Sequence, residues 1–114
     1  MARFQHWRLM RRFALYFPLS DRSSSRTELL RATEDEICRK AGGLTSYSAI
    51  GLYKTPSGAI QRDEIQVLEI FVAETAAEVI EGYLRAIAES IATTLGESSV
   101  AFLVDGQMNF VKPG

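Results

Sequence analysis

The sequence predicts an α+β domain of the ferredoxin-like kind. This is a β-α-β-β-α-β order in one antiparallel sheet, with two helices on one face and a short extra strand at the C-terminus. Three observations carry that expectation. Two stretches place apolar residues three and four apart, ending near Ala41 and Leu95. Runs of branched and aromatic residues alternate with them. The length, 114 residues, suits one domain that buries about two thirds of the surface its unfolded chain exposes.

The elements follow in order. "RFALYFPL", Arg12 to Leu19, reads as a buried strand, and the Ser-rich "SDRSSSR" ends it. Ser25 and Glu28 have capping-box spacing, so a helix is predicted to begin near Ser25, with Leu30, Thr33, Ile37 and Ala41 as its inner stripe. Gly42 closes it, and Gly43 turns the chain into a second strand, "LTSYSAIGLYK". "TPSG", Thr55 to Gly58, is turn chemistry leading to a third strand over Ile60 to Val72. A second capping box, Thr75 with Glu78, opens a helix whose stripe is Ile80, Tyr83, Leu84, Ile87, Ile91 and Leu95, with Gly96 as its cap. "SVAFLV" is the next strand, and Asp105-Gly106 is a hairpin turn into a short "QMNFV" strand.

The composition, 46% hydrophobic and 24% charged, is that of a folded globular domain. No apolar run approaches the ~20 residues that span a bilayer. The lone Cys38 and the lack of an export signal lead to an expectation of a cytoplasmic location. The net charge of −1 is unevenly spread. Residues 1–31 hold seven Arg against Asp21 and Glu28, which is +5, and the remainder carries −6. Residues 1–10 are read as a basic arm, solvated or docked, and residues 11–114 as the single domain.

"GGLTSYSAIGLYKTPSGAIQRDEIQVLEI" and the later "ESSVAFLVDG" resemble a bacterial domain family of unknown function. That family carries G-L-T, then G-x-aromatic, a turn glycine, R-[DE] and an E-S-V strand. Gly43-Leu44-Thr45, Gly51, Gly58, Arg62 and Glu97 to Val100 match. Tyr53 stands where the pattern has Trp, and Asp63 where it has Glu. The resemblance implies the same fold and no particular chemistry.

Elimination removes most chemistry. The only histidine, His6, sits in the arm, so histidine-based nucleophile systems and metal sites are not expected. No phosphate loop is present, and no cofactor or metal is predicted. The sheet lacks the aromatic pattern of an RNA-binding strand and the body is acidic, so nucleic acid is not an expected partner, nor is a membrane.

What remains is the face of the sheet away from the helices. Alternation along the strands puts Ala14 and Tyr16, then Tyr47, Ala49, Gly51 and Tyr53, then Val67, Glu69 and Phe71 on it. Such a face is too apolar to leave wet, and it predicts a homo-oligomer. Gly51 inside a strand marks a bulge or the close approach of another backbone. Glu69, the one acid in "VLEIF", needs a partner, with Tyr16, Tyr47, Tyr53 or an arginine of another chain as candidates. The expected role is a ligand- or protein-binding, regulatory module acting through Tyr16, Tyr47, Gly51, Tyr53, Glu69 and Phe71. The alternative is an enzyme of the dimeric α+β barrel type, in which Glu69 and a tyrosine transfer a proton to and from a small molecule.

Overall fold

The computed structural model describes residue 9, residues 11–20 and residues 24–114. The basic arm expected over residues 1–10 therefore lies outside the described residues, apart from Leu9. The elements run β1 (Arg11–Pro18), α1 (Ser24–Ala41), β2 (Thr45–Lys54), β3 (Ile60–Val72), a 3-10 turn (Glu74–Ala76), α2 (Ala77–Leu95), β4 (Val100–Val104) and β5 (Gln107–Val111).

The ferredoxin-like expectation is corrected here in strand number and sheet order. The chain forms one five-stranded antiparallel sheet, β2-β3-β1-β4-β5, and β4 is an interior strand. Asp105 (φ 48°) and Gly106 (φ 88°) make the tight turn that folds β5 back on β4, and the two pair along their whole length, Val100 to Val111 through Val104 to Gln107. The segment expected to be a short appendage is thus an integral edge of the sheet. Its Val111 is buried with the main core.

Both helices pack on one face. Phe13, Leu15 and Phe17 of β1, Leu68, Ile70 and Val72 of β3, and Val100 and Phe102 of β4 meet Leu30 and Ile37 of α1 and Ile80, Leu84, Ala88 and Ile91 of α2. The predicted helix stripes supply all of these helix residues except Ala88, while the expected Ala41, Tyr83, Ile87 and Leu95 are only partly buried at the margin of the core. Thr33, buried in the α1 stripe, satisfies its hydroxyl by donating to the Leu29 carbonyl, four residues back, at 2.8 Å.

The helix starts differ from the capping boxes. α1 includes Ser24, which places Ser25 inside the helix. Thr75 lies within the 3-10 turn, and the residue that caps α2, Ala76, makes no side-chain cap bond. The tighter turn supplies the partners instead: the Ala76 N–H donates to the Ala73 carbonyl at 3.0 Å, and the Ala77 N–H to that of Glu74. At the other end Gly96 takes the left-handed conformation expected of it, φ 67°.

Candidate functional site

The face opposite the helices has its own small cluster. Ala14, Val67 and Leu103 are buried there, with Tyr16, Ala49 and Ile65 packed around them. The register explains the alignment. Ala14 stands between Glu69 and Leu103, and Tyr16 and Tyr47 flank Val67. Beyond this cluster the face stays uncovered: Tyr47, Tyr53, Phe71, Met108 and Phe110 are all 40% or more exposed.

One cleft lies on this side and a second reaches from it towards the helices, and between them they hold five of the six residues singled out in the sequence. The first, about 480 Å³, is lined by Tyr16, Gly51 and Tyr53 together with Asp63, Ile65, Met108, Phe110 and the Glu97–Ser99 loop. All five strands contribute a wall residue to it. In a flat sheet the outer strands would stand about 19 Å apart, so the twisted sheet must cup around this space. Its described charged residues are both acids, Asp63 and Glu97.

The second cleft, about 520 Å³, holds Glu69 and Phe71. Its other walls include Leu9, Lys40, the Gly42–Thr45 turn and Ile80. Tyr47 lines neither cleft.

Glu69 does have a partner, but not one of those expected. The Arg12 Nε of the same chain donates to its carboxylate at 2.6 Å, and the Glu69 side chain is 18% exposed. Arg12 sits opposite Phe71, so the pair runs diagonally across the β1–β3 ladder. The Glu69 carboxylate hydrogen bond is the main influence holding the Arg12 guanidinium above its ordinary range. Tyr47 and Tyr16 lie close enough to add to it. The Arg12 backbone is anchored in turn: its N–H donates to Asp105 Oδ1 at 2.9 Å, and its carbonyl accepts from the Asp105 N–H at 2.8 Å. The first of these bonds is the main reason the Asp105 carboxyl is held below the usual carboxylate range. Arg11 adds a contact to the same acid at 2.5 Å.

Gly51 is neither bulged nor closely approached within the chain. The β2–β3 register is unbroken from Thr45–Glu69 to Lys54–Ile60. A Cβ at Gly51 would meet only the Tyr53 ring and the Asp63 carbonyl, at 3.8 and 3.9 Å, which is ordinary contact.

Sequence reasoning missed Arg26. From α1 it donates to the Pro18 carbonyl at 3.0 Å and reaches Glu97 at 3.7 Å, tying the end of β1 to the loop that walls the first cleft. No local pattern marks such a residue, because its partners lie 8 and 71 positions away. Met108 and Phe110 were missed because β5 was read as an appendage. Among the described residues no group of His, Cys, Asp and Glu is placed to hold a metal ion, and no helix is long and apolar enough to cross a membrane.

No family model and no curated protein matches the chain, so the resemblance to an uncharacterised domain family rests on the matched residues alone. Solved structures do share the fold. An apo phage SAM lyase superposes with a TM-score of 0.64 at 11% identity, over 97% of this chain and 96% of that one. A phage SAM lyase in complex with S-methyl-5'-thioadenosine gives 0.62 at 14% identity, over 90% and 88%. At these identities the likeness is one of fold, that of a small α+β protein.

Proposed function

We propose that this chain is a small-molecule-binding module that acts through its open sheet face, in an assembly of copies that covers the rest of that face. Its ligand, on this reading, is an adenosyl thioether or sulfonium of the kind named for its structural neighbours. The first cleft is the observation that carries the reading. Tyr16, Tyr53 and Phe110 offer aromatic surface to a purine. Asp63 and Glu97 offer acceptors to ribose hydroxyls. A sulfonium centre suits the same walls, because aromatic faces and carboxylates both attract a cation.

Proton transfer by Glu69 with a tyrosine has less geometric support. The Glu69 carboxylate is engaged by Arg12 and lines one cleft, while Tyr16 and Tyr53 line the other.

Calorimetric titration with S-methyl-5'-thioadenosine and with S-adenosylmethionine tests the proposal. Saturable binding is expected, weakened about tenfold by Tyr53→Ala through loss of stacking. Chromatography of the S-adenosylmethionine sample separates binding from consumption. No heat with either compound refutes the ligand class.

A further inference from the structure

The β2 edge is a second surface, independent of the ligand reading. β2 is ten residues long and, among the described residues, is paired on one side only, by β3, and closes the sheet order. Soluble proteins blunt such edges with proline, bulges, inward charges or short length. β2 has no proline, an unbroken register, and a single charged residue, Lys54, at its end. Ile50 and Leu52 of this strand are 53% and 52% exposed.

The phase of its hydrogen bonds follows from the turn. The Thr55 N–H donates to the Ala59 carbonyl at 2.8 Å. In an antiparallel ladder bonded and non-bonded pairs alternate, so the odd-numbered residues of β2 turn their main-chain groups to β3. The even-numbered residues, Ser46 to Lys54, present theirs at the free edge.

We propose that β2 pairs antiparallel with β2 of a second copy about a two-fold axis at Ile50, joining two sheets with their helices on the same side. In that register Ile50 faces its own counterpart, Leu52 faces Ser48, and Tyr53 faces Tyr47. Lys54 faces Ser46, whose hydroxyl is bonded to the Glu34 carboxylate of α1. The ammonium of each copy therefore reaches Glu34 of the other, twice per dimer. Shifting the register by two residues either way sets Lys54 against Leu44 or Ser48 and separates the tyrosines. The self-complementary charge and ring pairing select both the occupant, a second copy, and the register. About ten main-chain hydrogen bonds form along the seam.

Sedimentation and light scattering on the full chain test this. Ile50→Pro removes an edge-facing N–H and leaves the β3 ladder intact, so it is expected to halve the assembled mass. Lys54→Glu and Glu34→Lys should each weaken pairing about tenfold, and the double exchange should restore it. In a Cys38→Ser background, Ile50→Cys should give a covalent dimer on oxidation. A parent chain monomeric at every accessible concentration overturns the proposal. So does an assembly whose mass Ile50→Pro leaves unchanged and that Ile50→Cys does not cross-link, which would assign association to the open face alone. Ligand titration plays no part in these readouts, so this proposal and the ligand reading fail separately.

Discussion

Neighbouring residues of β3 experience two different environments. Leu68, Ile70 and Val72 are sealed under the helices, at 0%, 0% and 3% exposure. Val67, Glu69 and Phe71 look the other way. Val67 is buried in a small cluster, Glu69 is held by Arg12, and Phe71 is 43% exposed. The same strand, with the same apolar character, thus belongs to a closed core on one side and to an unfinished one on the other. The difference teaches where stability and function are to be sought. A substitution on the closed side acts on folding, and one on the open side acts on what the face meets.

The largest expected effect contrasts two phenylalanines. Phe102, 0% exposed and 6.2 Å from Phe13 between ring centres, faces the helices, and Phe102→Ala should cost about 3–5 kcal/mol in chemical denaturation. Phe110, 68% exposed on β5, faces the open side, and Phe110→Ala should change stability by no more than about 0.5 kcal/mol while reducing assembly or ligand binding. Equal costs for the two would erase the distinction between the faces.

An intermediate effect is expected at Glu69. Glu69→Leu leaves the Arg12 guanidinium without its 2.6 Å acceptor and should cost about 1–2 kcal/mol, whereas Glu69→Gln keeps an acceptor and should cost less than half of that. If both variants melt with the parent, the ion pair contributes nothing and Arg12 is free to serve a ligand.

The smallest effect is a pH dependence. The Asp105 carboxyl is held below its ordinary value, chiefly by the Arg12 N–H. Its contribution is therefore present above the usual aspartate pKa and lost as pH falls through the lower folded value. Asp105→Asn should flatten that acid limb by lowering stability above pH ~6 while leaving it nearly unchanged at the acid end, where the parent carboxyl is already protonated. An unaltered acid limb would show that other carboxylates govern it.

Much of the molecule was legible because the signals are local. The helix stripes Leu30–Ile37 and Ile80–Leu95 follow from spacing, since residues three and four apart share a face. Gly42, Gly58, Gly96 and Gly106 all take positive φ, as turn and cap chemistry requires. The outward set on the open face follows from a period of two. The second capping box was misread for a related reason: Thr75 and Glu78 have the right spacing, but a 3-10 turn satisfies the same orphan donors by another route.

By itself the sequence determined the element types, their order and which side of each strand is apolar, because those depend on neighbours within a few positions along the chain. Tertiary structure alone decided that β5 completes the sheet, that Glu69 is paired with Arg12, and that Arg26 braces the Glu97 loop. It also decided that five of the six candidate residues are divided between two clefts, with Tyr47 in neither. The physical reason is separation. These contacts join residues 57 and 71 positions apart in the chain, and only the closure of the sheet and the docking of the helices bring such groups within hydrogen-bonding or ion-pairing reach.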